Sequence, residues 1–314
     1  MDRKIYRLIK AYDTIVIARH KAPDLDAYGA QFGLYYALKQ KFPAKRIYAV
    51  GDTNSMNLFQ ELDKVTDDQI RGSLYLIVDT AVRQMLGDDR HTLAAKVVVI
   101  DHHQNDSDIS PHIHYKDTEM SSASEMIVRF LNRNKIPIGK TAAKPLYMGI
   151  VGDTGRFLYA SVKPDTFRIA AQLLATGLDL AQIYNSLYTE SLALKQMKAE
   201  YLASFQLTPN NVGYRKNDSE FQIRHNIASS AASRMLANQL SGIKEIPIWA
   251  NFTEDQETGR ILCELRSREI PIVEIAKKHG GGGHLLACGA TVDTWAQADQ
   301  ILTELDHLLE AQNG

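Results

Sequence analysis

Asp101-His102-His103 follows the apolar run Val97-Val98-Val99-Ile100 directly, so a short buried strand delivers one carboxylate and two imidazoles to a single point. These groups are the usual ligands of Mn²⁺, Fe²⁺ and Zn²⁺, although a polar surface turn would read the same way in isolation. Three further segments repeat the pattern. His20, Asp24 and Asp26 lie in His20-Lys21-Ala22-Pro23-Asp24-Leu25-Asp26, just beyond the apolar run 14–18. Pro23 stiffens that turn and favours an extended Ala22. In an extended segment, carboxylates two residues apart point the same way. Asp26 reads equally well as the cap of a helix opening near Ala27, but a cap explains neither His20 nor Asp24. Asp79 closes the run 74–78, where a lone aspartate is more often a helix cap for the segment from Thr80. Its position gives it weight, because ligands gather outside the carboxyl ends of the strands of an open parallel sheet. Asp153 lies in Gly149-Ile150-Val151-Gly152-Asp153-Thr154-Gly155-Arg156-Phe157, whose glycines would let backbone approach a ligand closely. By itself that stretch is ordinary loop chemistry.

Five aspartates and three histidines thus come from four segments. Concentrating so many carboxylates is strongly repulsive unless cations neutralise them. Two divalent ions sharing a bridging carboxylate, roughly 3.5–4 Å apart, meet that requirement, bind phosphate oxygens and yield a nucleophilic water near neutral pH. The residues therefore favour dinuclear, metal-assisted phosphoryl hydrolysis over a structural acidic patch.

Such residues need strands to carry them. The runs 14–18, 47–50, 74–78 and 97–100 are short and apolar throughout, as in a parallel sheet covered on both faces by helices. Helical stretches alternate with them: 27–39, a segment opening at Ser121-Ser122, 146–151, and one of about three turns opening at Pro164-Asp165. Ser122 and Glu125 have capping-box spacing. Residues 180–207 are periodic and poor in glycine and proline, which predicts one connecting helix, broken by Thr208-Pro209-Asn210-Asn211. Beyond it, 229–240, 272–278 and 296–309 read as helices. The stretches 247–252 and 260–265 read as strands joined by a hairpin over 254–259, and 280–283 reads as a loop. The fold class is α/β: a mostly parallel, doubly wound N-terminal sheet with a dinuclear metal site, a connecting helix, and a smaller C-terminal α/β substrate-binding domain. The boundaries are 1–190, 191–210 and 211–314.

With 314 residues, 45% hydrophobic and 23% charged, the chain has the composition of an ordinary globular protein of two domains. A net charge of −1 excludes a globally basic nucleic-acid coat, but not a local site for a few phosphates. There is no bilayer-length apolar run and no signal-type segment, so a membrane role is not expected. The two cysteines, Cys263 and Cys288, argue against a disulfide framework and point to a reducing, cytoplasmic setting.

The set His20, Asp24, Asp26, Asp79, Asp101-His102-His103 and Asp153 resembles the DHH phosphoesterase superfamily, in order and in context. Gly280-Gly281-Gly282-Gly283-His284, preceded by Arg266-Ser267 and by Ile275-Ala276-Lys277-Lys278, resembles the hallmark of the DHH-associated domain. Length and C-terminal motif are most similar to the nanoRNase/pAp phosphatase (NrnA-like) branch. The resemblance implies that His20, Asp24 and Asp79 hold one ion, and that Asp26, Asp79, His102 and Asp153 hold another, with Asp79 bridging. Mn²⁺ would be the usual metal. His103 would face the scissile phosphate, with Asp101 behind it orienting a histidine. Arg266, Ser267, Gly281, Gly282, Gly283 and His284 would bind substrate, the glycines exposing N–H groups as an anion-binding concavity and Arg266 gripping phosphate. Leu285-Leu286-Ala287-Cys288-Gly289 departs slightly from the family, where small polar residues are common. That departure bears on fine substrate preference.

The implied substrates are short RNA oligonucleotides, degraded to mononucleotides, and 3′-phosphoadenosine 5′-phosphate (pAp). The alternatives are hydrolysis of pApA or cyclic di-AMP, and a non-catalytic nucleotide sensor. A homodimer is left open. The remaining histidines, His91, His112, His114, His225, His279 and His307, lack a matching carboxylate context and read as structural or exposed. Cys263 reads as a buried small residue, and Cys288 as no nucleophile.

Overall fold

The computed structural model describes residues 1–52, 58–104 and 106–313, and the chain divides into two compact units, Met1–Thr189 and Glu190–Gly314. In the first unit, helix α1 (Asp2–Ala11) leads into β1 (Thr14–Ala18), α2 (Leu25–Lys41), β2 (Arg46–Val50), the single turn α3 (Asp67–Ile70) and β3 (Leu74–Val78). Then come β4 (Lys96–Asp101), β5 (Ile113–Lys116), α4 (Ala123–Arg133), α5 (Lys140–Asp153), α6 (Pro164–Leu174) and α7 (Leu180–Tyr188). The five strands are all parallel, in the order β2-β1-β3-β4-β5.

Alternate residues of each central strand feed opposite layers, which is why the strands read as unbroken apolar runs. Ile15, Ile17, Leu74, Leu76, Val98 and Ile100 pack into a core with α1, α2, α4 and α5. Val16, Ala18, Tyr75, Ile77, Val97 and Val99 face a thinner layer with Ile70, Leu86 and Ile109. One face therefore carries the long helices, and the other is closed by the short α3 and by connecting segments. Helices α2 and α5 touch through glycine: a Cβ on Gly29 would lie 2.8 Å from Gly149 Cα and 2.6 Å from Pro145 O.

The second unit comprises α8 (Leu192–Ala203), β6 (Gln206–Leu207), β7 (Val212–Asn217), α9 (Ser219–Arg224), α10 (Ser229–Leu236), β8 (Ile248–Glu254) and β9 (Ile261–Ser267). It closes with α11 (Val273–Lys278), β10 (Gly282–Gly283), β11 (Ala287–Val292) and α12 (Trp295–Asn313). Its six strands run β10-β11-β9-β8-β7-β6, antiparallel except for the β7–β8 pair. Ile261, Cys263 and Leu265 of β9 alternate into a core with α11 and α12, whereas Trp249 packs with α8 and α10.

The single connecting helix expected over 180–207 does not form. Helix α7 ends at Tyr188, Thr189 is extended, and the Ser191 hydroxyl accepts the Leu194 N–H (3.1 Å) to start α8 afresh. A good N-cap inside a periodic stretch thus divides it. Residues 191–210 hold α8 and β6 and fall within the second unit. The capping box at Ser122 forms by half: Ser122 Oγ accepts the Glu125 N–H (3.0 Å). The Glu125 carboxylate turns instead to Ser121 Oγ (2.5 Å), Thr166 Oγ1 (2.9 Å) and Arg129 (2.7 Å). Among the described residues, no helix is long and apolar enough to cross a membrane.

Candidate metal centre

The strand order moves outward from β1 in both directions, so the crossovers part at the β1–β3 edge and leave a crevice at the strands' carboxyl ends. Four segments supply that edge. Beyond β1, His20 pairs as an isolated bridge with Leu86, and its Nδ1 lies 2.8 Å from Lys21 O, which leaves Nε2 as the ligating atom. Asp79 follows β3 in a left-handed conformation, φ 61°, a strained state for a non-glycine residue. Asp101 ends β4, and His102 and His103 follow it. Asp153 is the last residue of α5.

Local structure differs from three of the expectations. The DxD carboxylates do not share an extended segment. Helix α2 starts at Leu25, and its cap is Asp24, whose Oδ1 accepts the N–H groups of Asp26 and Ala27 at 3.0 Å each. Asp26 lies in the helix's first turn, buried, and its two carboxylate oxygens accept N–H from Ala123 (2.6 Å) and Ser124 (2.8 Å) at the N-terminus of α4. A helix N-terminus thus stabilises that carboxylate, which lay 97 residues away in the chain. Asp79 caps no helix. Gly149 and Gly152 both lie in helix α5, which runs past the expected 146–151 to Asp153 where a glycine-rich turn was the other reading, and their missing side chains serve protein contact. A Cβ on Gly149 would lie 2.1 Å from Ser124 Oγ and 3.0 Å from Asp26 Oδ1. The glycines therefore let α5 come close enough to bring Asp153 beside Asp26.

Three groups of donor atoms result, each spanning less than 4.8 Å: His20, Asp24 and Asp79; Asp26, His102 and Asp153; and Asp79, His102 and His103. Asp79 Oδ2 is 3.4 Å from His20 Nε2, and Asp79 Oδ1 is 3.4 Å from His102 Nε2. His102 Nε2 is 3.2 Å from Asp153 Oδ2 and 3.7 Å from Asp26 Oδ2, and His20 Nε2 is 3.8 Å from Asp24 Oδ1. Asp79 Oδ1 and His102 Nε2 are buried without a well-formed hydrogen bond. For metal–ligand bonds of about 2.1 Å, neighbouring ligand atoms lie about 3.0 Å apart in an octahedron and about 3.4 Å apart in a tetrahedron. The observed spacings, from 3.2 to 3.8 Å and close to those edges, fit divalent ions.

The electrostatics fit as well. Burial disfavours imidazolium, yet contacts with Asp24 and Asp79 push the His20 pKa up to about 11. Burial is likewise outweighed at His102, which Asp153 and Asp79 push up to about 12. Burial opposes ionisation of Asp79, but His102 and His20 hold it well below the usual carboxylate range. Asp26 is pushed well above that range by burial and by the charges of Asp79 and Asp153. Burial also raises Asp153, with the Asp79 charge adding to it and the His102 contact opposing. Four carboxylates, Asp24, Asp26, Asp79 and Asp153, thus crowd His20 and His102, and the raised Asp26 and Asp153 carry the mutual repulsion that divalent ions would relieve. His103 stands slightly apart. Its Nδ1 lies 2.8 Å from Oδ1 of the fully buried Asp101, which places the proton on Nδ1 and raises its pKa despite burial.

In the second unit, the side chains of Arg266 and Glu264 share one face of β9, with Arg266 Nη2 2.9 Å from Glu264 Oε2. Arg266 Nη1 also donates to Leu265 O (2.8 Å) and Cys288 O (3.2 Å). Ser267 is buried and its hydroxyl donates to Ile270 O. The glycine run is less open than expected. The amides of Gly280 and Gly281 donate to Lys277 O (3.0 Å) and Ala276 O (2.8 Å), and that of His284 donates to Ala287 O (2.9 Å). Gly282 and Gly283 pair with Gly289 and Cys288 of β11. A Cβ on Gly281 would fall 2.0 Å from Gly289 O, so close strand packing already requires glycine there. Cys263 and Cys288 are buried, and burial pushes their thiols up to about 12 and about 11, which leaves no thiolate nucleophile. His225 lies 2.8 Å from Glu200, and His279 lies 3.3 Å from Glu304. Among the described residues neither joins a metal-sized group, nor does His91, His112, His114 or His307.

Residues missed by sequence reasoning include Ser122, Ala123 and Ser124, whose helix start anchors Asp26, and the buried Arg19, which pairs with Asp52 at 2.7 Å. The Ser122 cap was legible as a helix signal. Its partnership with Asp26 was not.

A parallel sheet that gathers carboxylates and imidazoles along its carboxyl edge defines a class of α/β proteins able to bind metal ions there. The family model for the DHH family N-terminal domain matches residues 14–150, and that for the DHHA1 domain matches residues 218–311. The chain is 35% identical over 309 residues to the probable bifunctional oligoribonuclease and PAP phosphatase NrnA of Streptococcus mutans, with 98% of this chain and 99% of that protein covered. It is 34% identical over 315 residues to the bifunctional oligoribonuclease and PAP phosphatase NrnA of Bacillus subtilis, with 98% of each covered. An exopolyphosphatase-related protein from Bacteroides fragilis, 25% identical, shares the fold with a TM-score of 0.87 over 98% of this chain and 97% of that one. This chain belongs to the DHH family, in the group that carries a C-terminal DHHA1 domain.

Proposed function

We propose that this protein is a metal-dependent phosphoesterase that degrades short RNA oligonucleotides to mononucleotides and dephosphorylates pAp to AMP. The observation that carries the reading is the arrangement around Asp79, whose two oxygens face two separate histidine–aspartate groups. The oligoribonuclease and PAP phosphatase names of relatives matched along nearly their whole length support the substrate class.

On this reading His20 and Asp24 would hold one ion, Asp26, His102 and Asp153 would hold a second, and Asp79 would serve both, with Mn²⁺ the preferred metal. Bound there, the ions would neutralise phosphate charge and lower the pKa of a water nucleophile. The chain's own residues supply the rest. The N–H groups at the start of α4 and the cap of α2 fix two carboxylates before any ligand arrives. His103, with Nδ1 tied to Asp101, presents Nε2 to the phosphate, where its protonated form donates to developing charge or to the leaving oxygen. Arg266 and His284 grip a phosphate or terminal nucleotide, while Ser267 and Gly281–Gly283 shape the strand edge that carries them. The catalytic domain is the unit Met1–Thr189, and the substrate domain is the unit Glu190–Gly314. The setting is cytoplasmic.

The test is a side-by-side substrate panel with Mn²⁺: pAp, a two-nucleotide RNA, pApA and cyclic di-AMP. Turnover of pAp and of the RNA is expected. Exclusive cleavage of the cyclic dinucleotide would overturn the substrate assignment. Tight nucleotide binding with no turnover of any substrate would make the protein a sensor.

A further inference from the structure

We infer that Arg19 and Asp52 form a positioning clamp that sets the turn carrying His20 and Asp24, and so governs the ion held by the His20–Asp24–Asp79 group alone. The inference rests on the metal reading above. Three strands bring chemistry to the same sheet edge through His20, Asp79 and Asp101. The fourth, β2, ends beside Gly51-Asp52, yet Asp52 joins none of the metal-sized groups among the described residues. Arg19 engages it instead. Arg19 is fully buried, a state that a guanidinium tolerates only when paired.

The pair braces that turn from two points. Arg19 Nη1 donates to Asp52 Oδ1 (2.7 Å) and to His20 O (3.2 Å), and Nη2 donates to Asp52 O (3.2 Å). The second carboxylate oxygen, Asp52 Oδ2, accepts the N–H of Ala22 at 2.8 Å. Ala22 stands at φ 45°, a left-handed conformation unfavourable for alanine, and it precedes Pro23, which narrows its choices further. The guanidinium also lies over the Tyr28 ring, 4.3 Å from its centre, on the helix that Asp24 caps and whose first turn holds Asp26. From the other side, Gly87 N–H donates to Arg19 O (2.9 Å) and Lys21 N–H donates to Met85 O (2.6 Å). A Cβ on Gly87 would lie 3.1 Å from Asp52 Oδ1. The clamp thus fixes the main chain on both sides of His20 and holds Ala22 in its strained state. No comparable contact reaches Asp26, which the start of α4 holds independently.

The experiment is Mn²⁺ titration of the full-length, metal-stripped protein by calorimetry, with circular dichroism as the check on folding. Asp52→Asn removes the charge and keeps the shape. Arg19→Lys keeps the charge but has no fork to reach Asp52 and His20 O together. The wild type should take up two ions. Each variant should bind one of them about 10–100-fold more weakly and the other unchanged. Adding Asp52→Asn to His20→Gln should produce no further loss, because both act on the same ion. Ala22→Gly, which makes the left-handed turn easy, should restore part of the affinity lost in Asp52→Asn. Folded variants that bind both ions like the wild type would overturn the clamp, as would equal weakening of both ions. If Arg19→Lys does not fold, Asp52→Asn and its Ala22→Gly rescue decide the question. A wild type that takes up no Mn²⁺ would instead remove the metal reading, and this inference with it.

Discussion

Asp79 offers the sharpest test of the centre, because its backbone and its carboxylate make separable predictions. The residue stands at φ 61°, a conformation that asparagine adopts more readily than alanine. Asp79→Asn should therefore be more stable than Asp79→Ala in the presence of chelator by about 1 kcal/mol. In a unit the size of Met1–Thr189 that difference moves the Tm by about 2–4 °C. The carboxylate prediction is larger. With Mn²⁺ a hundredfold above its Kd, each ion stabilises the wild type by about 2.7 kcal/mol, or about 5–10 °C in Tm. Asp79 Oδ1 and Oδ2 each lie 3.4 Å from a histidine of a different group, so Asp79→Asn strips a charged ligand from both ions at once. The Mn²⁺-induced rise should shrink by more than half, and turnover of a dinucleotide RNA should fall by about 10²–10³-fold or more. Differential scanning fluorimetry with and without chelator and a steady-state assay measure the two effects. An Asp79→Asn protein with a wild-type Mn²⁺ shift and turnover within about tenfold of wild type would refute the bridging assignment.

Proton release should accompany metal binding. His20 and His102 carry raised pKa values of about 11 and about 12, so both are imidazolium at neutral pH, whereas a ligating imidazole is neutral. Apparent Mn²⁺ affinity should therefore rise with pH, and calorimetry in buffers of different ionisation enthalpy should detect the released protons. A pH-independent affinity would contradict ligation by these histidines. Asp101→Asn should lower kcat by about 10²-fold with Mn²⁺ binding intact, since it disturbs the proton on His103 Nδ1 without touching a ligand. An unchanged kcat would remove His103 from the reaction. Gly281→Ala should destabilise the second unit by about 1–3 kcal/mol, because its Cβ meets Gly289 O at 2.0 Å. Denaturant unfolding measures this effect. His284→Ala should raise KM far more than it lowers kcat, and the opposite pattern would place His284 at the chemistry.

The central strands were legible because a strand buried on both faces must be apolar at every position, as β1 and β3 are. Strand β5 was not, since Ile-His-Tyr-Lys is only half-buried and carries no such pattern. Strand β11, Ala-Cys-Gly-Ala-Thr-Val, is too small and mixed in side chains to stand out. The break at Thr189–Ser191 was hidden because one serine cap competes with a helical periodicity that runs through it.

The residue types at the sheet edge, and the order in which the chain delivers them, were fixed by sequence alone, because a carboxylate or imidazole directly after an apolar run must emerge at a strand end. What only the tertiary structure decided is which of these residues meet, and what holds them. Asp26 looked like a cap or one arm of an extended pair. It became a buried carboxylate anchored by the start of α4, because Gly29 and Gly149 allow helix packing that local propensity does not encode. Arg19 carries no signal of its own in the sequence, and its role depends on β2 placing Asp52 beside it. Local chemistry is written in neighbouring residues, but distances between residues far apart in the chain depend on how closely the elements pack.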